Sequence, residues 1–227
     1  MKVKGLKQPI IGLIFDMDGL LVNTEKLYWQ ANILAAHEEG LNIPDNAYLK
    51  LNGASVAQSQ AFFKKYFPND EQRNLFIKRT DDLVWQWAEA GRLRLMPGVA
   101  QALAQFKDWG LKMGIASSNY ARVIKHNLAL THISDYFDFI LSDVDLEGQN
   151  VQPKPAGDIY RLAAAKSGLP QDQLLVFEDS SNGIAAATAA GLRSVMIPCL
   201  KQPTMADRKR ASLIVASFAD FLTLAKK

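Results

Sequence analysis

Two carboxylates, Asp16 and Asp18, stand two residues apart at the end of an apolar run and are followed at once by Gly19. Paired acids of this kind can divide labour, one attacking an electrophile while the other carries a proton. A second acidic pair, Glu178-Asp179, also closes an apolar run and leads into Ser180-Ser181-Asn182-Gly183. Two further polar loops lie between them in the chain. Ser117-Ser118-Asn119 offers hydroxyls and helix-start amides able to bind an anion. Gln152-Pro153-Lys154-Pro155 holds a lysine between prolines, where it can project as a fixed positive charge. The two acidic loops supply hard oxygen donors, which suit Mg²⁺, an ion that takes few protein carboxylates and keeps water or phosphate oxygens.

Such groups need a scaffold that delivers them to one place. The run Pro9 to Phe15 is short, apolar and partly β-branched, and so predicts a buried strand with Asp16 where the chain leaves the sheet. Gly19 permits the turn that lets Asp16 and Asp18 face one small volume. Further strands are expected at Leu111 to Ala116, Phe137 to Leu141, Leu174 to Phe177 and Ser194 to Pro198. Helical stretches at Val99 to Trp109, Tyr120 to Leu128, Gly157 to Ser167 and Asn182 to Ala190 alternate with them. That alternation is the pattern of an α/β fold with a doubly wound parallel sheet, whose ligands bind beyond the carboxyl ends of the strands. Between Thr24 and Leu95 the rhythm changes to long helical patterns, Glu25 to Glu39, Val56 to Tyr66 and Glu71 to Glu89. The division expected is a core of residues 1–23 and 96–227, with a helical insert over 24–95 and its return marked by Met96-Pro97-Gly98.

Four loops in this order resemble the haloacid dehalogenase superfamily: Asp16-Met17-Asp18-Gly19, Ser117-Ser118-Asn119, Lys154-Pro155 and Glu178-Asp179. The insert stands where that superfamily carries a helical cap on its Rossmann-like core. Phe15 to Leu21 and Leu174 to Gly183 look most like the sugar-phosphate and nucleotide-phosphate phosphatases related to β-phosphoglucomutase, pseudouridine-5'-phosphate phosphatases among them. The resemblance implies that Asp16 attacks phosphorus to form an aspartyl-phosphate, and that Asp18 protonates the leaving oxygen and later deprotonates water. It implies Mg²⁺ held by the Asp16 carboxylate, the Asp18 main-chain carbonyl and Asp179, with Glu178 nearby. Ser117, Ser118, Asn119 and Lys154 would bind phosphate oxygens, and Asn52, Gly53 and Ser55 of the cap would touch the leaving group. Cations are required, because a carboxylate about 4 Å from a phosphate dianion meets repulsion on the order of 8 kcal/mol at an effective dielectric near 20.

Within the resemblance, Asp18 favours phosphoryl transfer over dehalogenation. Tyr28 stands where β-phosphoglucomutase has a histidine, and Val56 where it has an arginine for a second phosphate, so hydrolysis is favoured over a hexose-phosphate mutase. A noncatalytic phosphate sensor on the same fold is the rival of another class. Tyr28, Trp29, Trp85 and Trp87 have the helical spacing of ordinary cap packing, and His37, His126 and His132 receive no role.

Composition narrows the setting. Lys and Arg number 26 against 23 Asp and Glu, a balance that predicts neither a nucleic-acid polymer nor a membrane surface as partner. The cluster Arg208-Lys209-Arg210 reads as a solvated face. One cysteine, Cys199, excludes an internal disulfide framework and fits a reducing, cytoplasmic setting. The early apolar stretch is cut short by Asp16 and lacks a cleavage site, so no signal peptide is expected. Neither G-x-x-x-x-G-K-[ST] nor G-x-G-x-x-G occurs. The partner expected is a small phosphorylated metabolite, and nothing demands more than a monomer.

Overall fold

The structure, a computed structural model, describes residues 1–54, 56–142, 144, 146 and 150–227, with Val56 described in its backbone only. Its first sheet strand shows why the site lies where it does. Gly12–Phe15 (β2, after a short β1 at Lys2–Val3) is wholly buried, because parallel neighbours flank it on both sides. After α1 (Thr24–Glu38), α2 (Val56–Phe63), α3 (Asp70–Trp87) and α4 (Val99–Asp108) comes β3 (Lys112–Ser117). The chain continues through α5 (Ala121–Leu130), β4 (Phe139–Ser142), α6 (Asp158–Ser167), β5 (Leu174–Glu178), α7 (Ser181–Ala189) and β6 (Arg193–Met196). It ends with α8 (Met205–Arg210), β7 (Leu213–Ile214), α9 (Phe218–Leu224) and β8 (Ala225–Lys226), the last pairing antiparallel with β1.

The main sheet has six strands in the order β4-β3-β2-β5-β6-β7, and every pairing in it is parallel. Strand order reverses between β2 and β5, whose Phe15 and Phe177 lie in register. In a sheet of this kind that switch point opens a crevice beyond the carboxyl ends. Asp16 and Glu178 therefore reach it from adjacent strands. Behind it the rings of Phe15 and Phe177 stack with centroids 5.2 Å apart at 7°, and Phe106, Phe218 and Phe221 complete a buried aromatic block. Such a block holds the two strand ends at a fixed separation.

The expected α/β fold is present, with strand and helix bounds within three residues of those expected. β7, α8 and α9 complete the C-terminal part beyond the elements expected there. Arg208, Lys209 and Arg210 form the last turn of α8, where cations favour the helix dipole. The helices between β2 and β3 pack mainly α1 against α3. Two linkers join them to the sheet. Asn23 N–H donates to Arg94 O at 3.0 Å, Arg94 N–H donates to the Asn23 side chain at 2.7 Å, and Met96 N–H donates to Leu21 O at 2.9 Å. Among the described residues no helix is long and apolar enough to cross a membrane.

Candidate active site

Lys154 is the hub. Its Nζ donates to Asp16 Oδ1 and to Glu178 Oε1, both at 2.7 Å, and to the Ala116 carbonyl at 3.0 Å. Only 5 % of the residue is exposed. Burial alone would lower its pKa, but the adjacent Asp16 and Glu178 carboxylates outweigh that and hold it well above the usual lysine range. Glu178 is saturated. Its Oε1 also accepts from Tyr160 Oη at 2.5 Å, and its Oε2 from the N–H groups of Asp179 and Ser180 and from the Ser180 hydroxyl at 3.1–3.3 Å. Gly183 makes room for this carboxylate, since a Cβ there would come within 1.8 Å of the Glu178 carboxyl carbon.

Asp18 sits on the other side of Met17. Its Oδ1 accepts from Thr24 Oγ1 at 2.6 Å, and its Oδ2 from Ser117 Oγ at 3.3 Å and Asn119 Nδ2 at 3.4 Å. Burial raises its pKa in spite of those donors. The turn between the acids depends on Gly19, with φ +79° and Gly19 N–H donating to Val22 O at 2.9 Å. Any Cβ there would meet Asp179 Oδ2 at 2.6 Å.

The carboxylate oxygens of Asp16, Glu178 and Asp179 approach within 4.8 Å of one another, all buried. Burial, then the charges of Glu178, Glu25 and Asp16, push Asp179 well above the ordinary range. Lys154 is the one cation hydrogen-bonded into this group among the described residues. A buried set of hard oxygens that exceeds its cationic partners is a donor set into which a divalent metal fits.

The helical insert closes on the same place. Asn52 Nδ2 donates to Asp179 Oδ2 at 3.4 Å, and Gly53 N–H to Glu25 Oε1 at 3.0 Å. From the sheet side Asn182 Nδ2 donates to Gly53 O at 2.8 Å, and Lys201 Nζ to Asn52 O at 3.0 Å. Gly53, with φ +66°, would place a Cβ 2.3 Å from Ser180 Cβ. Asp16, Asp18, Asn52, Gly53, Ser118, Asn119, Lys154 and Asp179 thus line one cavity of about 670 Å³, within the usual size of a small-molecule site. Ser117 lies behind it and reaches in through Asp18. Ser55 lies outside the described residues.

A profile of the haloacid dehalogenase-like hydrolases matches residues 13–197. The chain belongs to that family. It is 29 % identical to hexitol phosphatase B of Escherichia coli K12, over 95 % of this chain and 98 % of the relative. It is 27 % identical to a phosphorylated carbohydrates phosphatase of Thermotoga maritima, over 81 % and 82 %. The β-phosphoglucomutase of Clostridium difficile shares the fold, with a TM-score of 0.74, 23 % identity and coverage of 93 % and 92 %. The chain is thus a hydrolase, and the relatives named here for a hydrolytic activity are phosphatases.

Three contributors to the hydrolase's site escaped the sequence reading. Thr24 holds Asp18, Glu25 holds the Gly53 amide, and Tyr160 holds Glu178. Burial pushes Glu25 up to about 7 despite the Gly53 N–H. Tyr160 had a signal: it lies on the first turn of α6, six residues after Lys154, on the face that packs against the sheet. The cap aromatics also depart from simple packing. Tyr28, Trp29 and Trp85 line the cavity, and Trp85 is 41 % exposed, with His126 stacked on its ring at 3.9 Å.

Proposed function

We propose that the chain is a Mg²⁺-dependent phosphatase that hydrolyses a small phosphorylated metabolite, a sugar phosphate or a nucleoside monophosphate, through an aspartyl-phosphate. The observation that carries this reading is the Asp16–Lys154 contact of 2.7 Å in a cavity also lined by Asp18, two residues further along the chain. Lys154 holds the Asp16 carboxylate in place and adds positive charge beside the phosphate. Asp16 Oδ2 then attacks phosphorus, the P–O bond to the leaving group breaks, and Asp18 delivers its proton to the departing oxygen. In the second half Asp18 takes a proton from water as that water displaces Asp16 from phosphorus, which releases inorganic phosphate and restores both acids.

Asp16, Asp179 and the Asp18 carbonyl are the groups that would hold Mg²⁺, which when bound offsets the charge between Asp16 and the phosphate. Glu178 is better read as the group that orients Lys154 and the Asp179 loop, since both its oxygens are engaged. Ser118 and Asn119 would bind phosphate oxygens, and Ser117, behind the cavity wall, would hold Asp18. Residues 24–95 act as a cap on a core of 1–23 and 96–227, and Asn52 and Gly53 bring the cap to the phosphate and exclude water. The test is phosphate release from p-nitrophenyl phosphate and from a panel of metabolites. Wild-type protein should show release that stops on chelation, and Asp16→Asn should abolish it. Conversion of β-glucose 1-phosphate with its bisphosphate activator into glucose 6-phosphate, without free phosphate, would overturn hydrolysis in favour of a mutase. No Mg²⁺-dependent release from any substrate would favour a sensor.

A further inference from the structure

Among the described residues of the insert, Leu34, Leu75 and Trp85 are the large apolar side chains that stand exposed, and of these only Trp85 lines the main cavity. Its indole is covered on one face. The imidazole of His126 lies flat on it, with ring centroids 3.9 Å apart and planes 7° from parallel. Trp85 belongs to α3 in the insert and His126 to α5 beside the sheet, so the stack crosses between the two parts of the chain. The same imidazole meets the insert a second time. Its Nε2 lies 3.0 Å from Oε1 of Glu89, in the π-helical turn Ala88–Arg92 that extends α3, at ion-pair distance but without the alignment of a hydrogen bond. One turn earlier on α5, the charge of Arg122 acts favourably on Asp81 of α3.

This contact differs in kind from the one at Asn52 and Gly53. There the insert is held by hydrogen bonds to Asp179, Asn182 and Lys201, and here by two rings. Its position also matters. α5 starts directly after Ser118 and Asn119, with Tyr120 as its N-cap, so the stack fastens the insert to the helix whose start carries the proposed phosphate-binding loop. Magnitudes rank the two partners of His126. A stacked ring pair is worth roughly fivefold in an equilibrium or a rate, whereas an ion pair is worth about twofold when its acid is as exposed as Glu89, at 51 %. The insert cannot swing away from α5 while the rings stay together, and a ligand enclosed between them leaves no faster than the two parts separate.

We propose that His126 is a positioning residue: by stacking on Trp85 it latches the cap to α5 and slows the opening through which phosphate leaves. His126 is outside the cavity lining and takes no part in bond making or breaking, so the latch is felt in release and not in the chemical step. The proposal rests on the phosphatase reading above, in which residues 24–95 close over the phosphate, and deepens it by naming a side chain that governs that closure.

The experiment uses the full chain with Mg²⁺ and inorganic phosphate. The dissociation rate of phosphate is read from exchange broadening in phosphorus NMR, beside kcat and KM for p-nitrophenyl phosphate. His126→Ala should speed dissociation about fivefold. Its kcat should stay level or rise, by up to the same factor where release limits turnover, whereas damage to packing alone would lower kcat. His126→Phe restores a flat ring and should return the dissociation rate to within about twofold of wild type. Glu89→Gln should change it by about twofold at most. In a Trp85→Ala background His126→Ala should have no further effect, because the stack is already gone. A dissociation rate unchanged by His126→Ala, or changed equally with and without Trp85, would overturn the latch, and hydrolysis of p-nitrophenyl phosphate by the same protein would leave the phosphatase standing. Faster dissociation in a protein that hydrolyses no phosphorylated probe would keep the latch and remove the phosphatase reading. Wild-type protein that binds no phosphate would remove both.

Discussion

Replacing Lys154 with Met keeps the volume of the side chain and removes its charge, which makes it the sharpest probe of how the site is held together. Nζ lies 2.7 Å from an oxygen of Asp16 and 2.7 Å from an oxygen of Glu178. At an effective dielectric near 20 each contact amounts to about 6 kcal/mol of Coulomb attraction. Most of that is cancelled by the cost of stripping water from three buried ions, and carboxylates left behind can take up a proton. Deleting one partner of a buried pair accordingly costs about 3–5 kcal/mol. Here the lysine side chain is only 6 % exposed, so solvent screening gives little relief. A loss of about 4 kcal/mol should lower the melting temperature by about 10 °C for a chain of this length. Turnover should fall by about two to three orders of magnitude, as for loss of one preorganised charge donor. Urea unfolding with and without Mg²⁺ gives a second readout. The variant should be stabilised by Mg²⁺ more than wild type is, because its acidic cluster has lost its internal cation, and saturation at a hundredfold above Kd adds about 2.7 kcal/mol. A Lys154→Met protein that unfolds within about 1 kcal/mol of wild type and retains its turnover would refute the reasoning.

Two further substitutions test the surroundings. Asp207 Oδ2 accepts from Thr204 N–H at 2.8 Å and from the hydroxyls of Thr204 and Ser181 at 2.7 Å, so it both caps α8 and ties it to α7. Asp207→Ala should cost about 1–2 kcal/mol at pH 7, read as a shift of the urea midpoint. Burial opposes ionisation of Asp207, but those donors outweigh it and hold the carboxyl below its ordinary value. The advantage of wild type is therefore complete above the unfolded carboxylate value near 4 and disappears as pH falls through the lowered folded value. A gap between the two proteins that is as wide at pH 2.5 as at pH 7 would contradict this account. Asn182 Nδ2 bridges Gly53 O at 2.8 Å and Gln58 Oε1 at 2.9 Å. Asn182→Ala should loosen the loop that carries Asn52 and lower kcat/KM about tenfold, mainly through KM, with little change in urea midpoint; an unchanged KM would show that this bridge contributes nothing to closure.

The parts of the molecule that could be read in advance are those whose physics is local along the chain. β2 and β5 are buried on both faces, so each is a bare apolar run, and the residue that ends such a run must stand at the sheet edge. Asp16, Ser117 and Glu178 were legible for that reason, and Lys154 because prolines flank it. The C-terminal β7 was not, since Leu213–Ile214 is two residues long and half-buried and carries no periodicity. Tyr160, Thr24 and Glu25 were hidden for a different reason. Each meets its partner through the placement of a helix start against a loop or strand end, which the residue type alone does not announce. The same distinction separates the two halves of the active site. Asp16 and Glu178 leave adjacent strand ends whose register is set by the sheet, so their geometry follows once the strands are known. Tyr28 and Asp81, bonded at 3.1 Å, come from α1 and α3 and meet only because those helices pack together. Substrate choice can therefore change by repacking α1 against α3 while the catalytic acids stay in place.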